Sequence, residues 1–156
     1  MKQRLDYKSI APDGFKSMLG LESYVHRSGL DVNLLELVKI RVSQINHCAW
    51  CLDMHTKDAR ARGETEQRLY LVSAWREAPF YTERERAALA WAEAVTMISQ
   101  EEITDELYAE MRRHFTEKEL VDVDDKVVVT DKGTPPESNQ SPSGSGFLLP
   151  RGAPGV

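Results

Sequence analysis

One stretch of this chain limits its fold more than any other. Between residues 32 and 45, Leu34, Leu35, Leu37, Val38, Ile40, Val42 and Ile45 recur without the strict alternation of a half-buried strand. Wound as a helix, they point in nearly every direction around the axis. A helix with no solvent face has to be enclosed, so the chain must supply several neighbours for it. Asp31 is placed to cap its start.

The neighbours can be read from their start and stop signals. Residues 15–28 carry Phe15, Met18, Leu19 and Val25 near one face, with Gly29 as a stop. After a break at Asn46-His47, a helix is expected over residues 48–62, with Gly63 as its C-terminal cap. Thr65 opens another, through Leu69, Leu71, Val72 and Trp75, until Pro79 forces a turn. Thr82-Glu83-Arg84-Glu85 is a capping box leading into an Ala-rich helix that reaches Ile98. Residues 104–115 form the next. Thr116-Glu117-Lys118-Glu119 is a second capping box, announcing a helix at Leu120-Val121. The expected class is therefore all-α, a single-domain helical bundle, and 156 residues suffice to bury its core without staples.

Both ends look different. The first dozen residues, with Pro12, read as a leader or arm. Beyond Val121 the chain is acidic from Asp122 to Asp125, then briefly β-branched at Val127, Val128 and Val129. From residue 131 to 156, 14 of 26 residues are Gly, Pro or Ser, too few apolar groups to offset the entropy of ordering. The expected organisation is a helical domain over residues 1–122 and a disordered tail over 123–156, apart from the apolar patch Phe147-Leu148-Leu149.

Charge excludes some functions. With a net charge of −5 and no basic stripe, nothing points to nucleic acid or to an anionic membrane. No run approaches the roughly 20 apolar residues of a membrane span. No apolar region follows the basic N-terminus, so a cleaved secretory leader is not expected and the setting is read as cytoplasmic. In that setting two cysteines three residues apart mean redox or metal chemistry.

Cys48 and Cys51 open a predicted helix, and His55 follows one turn later. At about 100° per residue, the three share one narrow face. The pair can close a disulfide within one turn. The positive end of the helix favours thiolate, and His55 can move a proton to or from a sulfur. Glu36, in the enclosed helix, needs a partner. Lys39 on the same face is one candidate. His55 across an antiparallel helix pair is the other, and it would be oriented and made more basic by a carboxylate.

The run from Glu36 to His55, read as Glu, eleven residues, Cys-Ala-Trp-Cys, three residues and His, resembles the core of the alkylhydroperoxidase D / carboxymuconolactone decarboxylase family. The resemblance covers roughly residues 6–122. It implies a helical fold that assembles as a homo-oligomer, trimer or hexamer. It also implies reduction of organic hydroperoxides or hydrogen peroxide by the cysteine pair, with an external dithiol as reductant. Cys51 would be the attacking thiolate and Cys48 the resolving thiol, although the helix dipole alone favours Cys48. Glu36 and His55 would be the proton relay.

Two departures accompany it. Where the peroxidase branch often has a second histidine, this chain has Trp50, and His47 stands just outside the pair. After Asp122 the family continues as a long apolar helix, and here it is not expected. Two alternatives stand beside the peroxidase. One is a lactone decarboxylase, although that branch generally lacks the cysteine pair. The other is a non-catalytic redox-sensing or assembly subunit. No metal, flavin or nucleotide is implied, since no phosphate-binding glycine loop occurs and a zinc site would need a second ligand pair. His26, His114 and Asp53 read as solvated residues, and the tryptophans as core or interface.

Overall fold

The enclosed helix finds its neighbours. A computed structural model describes residues 6–131, and every regular element among them is helical. The elements are α1 (Tyr7–Ile10), α2 (Pro12–His26), α3 (Val32–Ile45), α4 (Ala49–Ala61), α5 (Glu66–Leu71) running into a 3-10 turn (Val72–Ala74), α6 (Glu83–Thr96), α7 (Asp105–His114) and α8 (Glu117–Asp131). Residues 132–156, with the tail expected there and its Phe147-Leu148-Leu149 patch, lie outside the described residues, as do residues 1–5.

α3 is the axis of the bundle and packs against α4, α6 and α8. It divides its apolar surface between two cores. Leu34, Leu35, Val38 and Val42 join Val25 of α2, Ala88 and Trp91 of α6, Met111 of α7 and Val123 and Val127 of α8. Leu37 and Ile40 join Leu69, Val72, Trp75, Tyr81 and Leu89 on the other side. The small side chains Ala87, Ala88, Ala92 and Ala94 are buried along α6, which lets that helix pack closely on its neighbours.

The caps at Asp31, Thr65, Thr82 and Thr116 are those expected. Asp31 accepts the N–H of Asn33 at 2.7 Å, and Thr65 and Thr104 cap α5 and α7 in the same manner. Thr82 and Glu85 form a complete capping box. At α8, Glu119 N–H donates to Thr116 Oγ1 while Glu119 Oε2 accepts the N–H of Thr116. Gly29 and Gly63 follow their helices at φ +97° and +94°, a conformation that costs residues with a Cβ. The N-terminal arm differs from expectation, because residues 7–10 wind into one turn and the helix after them starts at Pro12. Proline is suited to a helix start, where its missing N–H leaves nothing unpaired.

The main correction concerns the last helix. The expected domain boundary at 122/123 falls in the middle of α8, which continues to Asp131. Leu120, Val123 and Val127 share one face, and Val123 and Val127 are buried in the first core. Packing on α3, together with the Thr116 capping box, overrides the weak helix propensity of valine and aspartate. The acidic run is also provided for. Asp122 is buried but accepts from Tyr24 Oη at 2.8 Å and from Lys118 Nζ at 2.6 Å. Asp124 accepts from Trp91 Nε1 at 3.3 Å.

If α8 closes the core in this way, Val123→Ala and Val127→Ala should each lower stability by about 1–3 kcal/mol in urea unfolding. Unchanged midpoints would show that residues beyond 122 do not pack on the bundle.

Candidate active site

The two cysteines stand where α3 turns back into α4. Three backbone bonds make the turn: Asn46 N–H to Val42 C=O at 3.0 Å, His47 N–H to Gln44 C=O at 3.2 Å, and Cys48 N–H to Ser43 C=O at 3.0 Å. His47 completes the reversal at φ +52°, a left-handed conformation worth roughly 1 kcal/mol or more in strain for a residue with a Cβ. Its side chain is exposed.

Cys48 is not the first residue of the helix but its N-cap. Its Sγ accepts the N–H of Cys51 at 3.3 Å. Cys48 and Cys51 are joined as a disulfide. Cys51 is buried, Cys48 half-buried, and Trp50 between them exposed. Their placement at the first turn of α4 puts both sulfurs at the positive end of a 13-residue helix.

His55 lies one turn beyond Cys51 and is buried. Its Nδ1 is 3.2 Å from Oε2 of Glu36. The ring N–H and the carboxylate oxygen are close but poorly aligned, and neither atom has another hydrogen-bond partner. The pair is therefore a close contact and not a well-directed bond. The other oxygen of Glu36, Oε1, accepts from Lys39 Nζ at 2.9 Å. The two partners weighed for Glu36 thus turn out to be simultaneous, one on each oxygen.

Glu36 is 1% exposed. Burial pushes its carboxyl up, but His55 and the Lys39 ammonium outweigh that and hold it down to about 2. It is thus an anion throughout the physiological range. Glu36, His55 and Asp58 place ligand-type atoms within 4.8 Å of one another, a group that could hold a cation. The Lys39 ammonium already occupies one oxygen of Glu36, and Asp58 is exposed, so this set suits an ion–imidazole pair better than a metal.

The remaining candidates take ordinary places. Asp53 is exposed and pairs with Lys57 at 2.6 Å. His26 is exposed, and His114 pairs with Glu110 at 3.0 Å. Trp75 and Trp91 are buried. Two charged groups close to the site were not legible in sequence. These are Glu22, 3.8 Å from Lys39, and Lys126, which is buried against Glu22. Glu22 has no local pattern to mark it, and Lys126 lies in the stretch read as tail.

The sequence profile of the carboxymuconolactone decarboxylase family matches residues 12–94, more than half of the chain and all of α2 to α4. The chain belongs to the carboxymuconolactone decarboxylase family. Among its relatives is the uncharacterised protein YdfG of Bacillus subtilis, 49% identical over 79% of this chain and 84% of that one. Its fold is that of a protein of unknown function from Agrobacterium tumefaciens, proposed to be the antioxidant defence protein AhpD. The two are 41% identical with a TM-score of 0.80, over 85% of this chain and 91% of that one. A peroxidase-related protein with an alkylhydroperoxidase AhpD core, from Ralstonia eutropha, shares the fold at 21% identity. Its TM-score is 0.69, over 81% of this chain and 68% of that one. This membership bears out the resemblance drawn from the Glu36–His55 run and the all-α class. No described helix is long and apolar enough to cross a membrane.

The depressed carboxyl of Glu36 has a measurable consequence. Its ordinary value of 4.5 falls to about 2 on folding, so the stability it confers is fully present above pH 4.5 and is lost as pH falls toward 2. Glu22 is lowered as well and acts in the same direction. Glu36→Gln should lower Tm at pH 7 and flatten its fall between pH 4.5 and 2, followed by circular dichroism. A parallel acid limb in the variant would mean that Glu36 is not the titrating group.

Proposed function

We propose that this member of the family is a thiol-dependent peroxidase that reduces organic hydroperoxides or hydrogen peroxide. The observation that carries the reading is the Glu36–His55 pair, formed across two helices and one turn away from the cysteine pair. A buried, permanently charged carboxylate beside Nδ1 orients the imidazole. That leaves Nε2 as the ring nitrogen available to a sulfur.

In the reduced protein, the Cys51 thiol gives its proton to His55 and the thiolate attacks one peroxide oxygen. The O–O bond breaks, Cys51 becomes a sulfenic acid, and the leaving alkoxide or hydroxide takes a proton and departs as alcohol or water. The Cys48 thiol then attacks the sulfenic sulfur. Water leaves and the Cys48–Cys51 disulfide forms. An external dithiol restores both thiols and is itself oxidised to a disulfide. The roles follow burial: Cys51 is buried one turn before His55 on α4, and the more open Cys48 is the better entry point for a reductant. A homo-oligomer is part of this proposal, with Trp50, Tyr70 and Ile98 exposed as apolar surface for it.

With a hydroperoxide and excess dithiothreitol, the wild type should consume peroxide steadily. Cys51→Ser should abolish consumption, and Cys48→Ser should allow one oxidation per chain. Glu36→Gln should slow turnover by about 100-fold, the lower end of acid–base contributions. Full turnover by Cys51→Ser would reverse the role assignment. One oxidation of the wild type without turnover would make the pair a sensor.

A further inference from the structure

A second layer of buried charge lies behind the Glu36–His55 pair, and the chemistry above does not use it. Lys39 of α3 faces two carboxylates. Its Nζ is 2.9 Å from Glu36 Oε1 and 3.8 Å from Glu22 Oε1 on α2. Glu22 also receives both of its oxygens' hydrogen bonds from Lys126 Nζ on α8. Lys39 is 6% exposed and Lys126 2%. Lys126, Glu22, Lys39, Glu36 and His55 therefore form one continuous chain across four helices, buried except at the half-buried Glu22.

Such an arrangement is costly as a packing device. Each buried ammonium loses its hydration, and an apolar side chain at 126 would serve the core beside Val123 and Val127 better. Burial, then the nearby Lys39 charge, push Lys126 down to about 8 in spite of Glu22. The charges nonetheless balance, two carboxylates against two ammoniums, and the sharing is specific. Lys39 divides itself between Glu22 and Glu36, and Glu36 divides itself between Lys39 and His55.

We propose that Glu22 and Lys126 are positioning residues of the redox site, acting through Lys39 to set how strongly Glu36 holds His55. The inference rests on reading Glu36 and His55 as the relay. Lys126 satisfies Glu22, which leaves Lys39 with Glu36. Without Lys126, Glu22 draws Lys39 from 3.8 Å into full contact, Glu36 is released toward His55, and the protonated imidazole gains. Without the Glu22 carboxylate, Lys39 belongs to Glu36 alone, and the protonated imidazole loses. Around this chain, α2 contributes Glu22 and His26, α3 contributes Glu36 and Lys39, α4 contributes the exposed Asp58 beside His55, and α8 contributes Lys126. The buried carboxylate of α6, Glu93, is committed to Arg41, Trp75 and Arg76, and Asp122 of α8 to Tyr24 and Lys118.

The test is the titration of the His55 ring, read from its Cε1 proton by NMR in the full-length disulfide form, so that no peroxide activity enters. Lys126→Met should raise the pH midpoint by about half a unit or more, and Glu22→Gln should lower it by a similar amount. Lys126→Arg should restore the wild-type midpoint, as a purely structural lysine would not require. A midpoint that stays put or moves the wrong way in either folded variant overturns the inference, and each variant decides alone should the other fail to fold. Opposite shifts in a protein that consumes no peroxide would support the coupling while removing the peroxidase reading. Turnover in the wild type with unmoved midpoints would do the reverse.

Discussion

The structure is organised around a carboxylate that has no access to water. Glu36 sits on the one helix that every other layer must enclose, and its two oxygens are divided between an ammonium and an imidazole. A lone charge at that depth would be intolerable. Lys39, one turn away on α3 itself, supplies the opposite charge, and α4 runs back along α3 to bring His55 alongside the other oxygen. The cysteine pair stands at the turn between these two helices, where Cys48 begins the helix that carries His55 to Glu36.

Much of this was legible in the chain. The apolar residues of 32–45 fixed a buried axis, and the spacing of Glu36, Cys48, Cys51 and His55 was enough to bring them together once two antiparallel helices were assumed. Caps and stops were local signals and were readable at Asp31, Thr65, Thr82, Gly29 and Gly63. What could not be read was long-range. Glu22 and Lys126 matter through contacts across 104 residues of chain, and nothing in either neighbourhood marks it. The two oxygens of Glu36 illustrate a subtler limit. Sequence offered Lys39 and His55 as competitors, whereas a carboxylate can serve both.

The acidic stretch after Val121 shows where composition misleads. Four aspartates in a row of ten residues, with a run of valines, suggested that the bundle was left open. Packing decided otherwise. Val123 and Val127 fall one turn apart on the face that meets α3 and α6, and Asp122 and Asp124 find Tyr24, Lys118 and Trp91. Helix formation there is imposed by the core that the segment completes, not by the preferences of its own residues.

The cap of α4 also has a thermodynamic meaning. Cys48 Sγ is both bonded to Cys51 Sγ and the acceptor for the N–H of Cys51, one of the orphan N–H groups in the first turn of the helix. A thiolate is a strong, charged acceptor at a positive helix end, and a disulfide sulfur is a weak one. A Cys48 thiolate would therefore hold the start of α4 more tightly than the disulfide sulfur that caps it here. Opening the disulfide and holding one turn of backbone would thus be linked at a single residue.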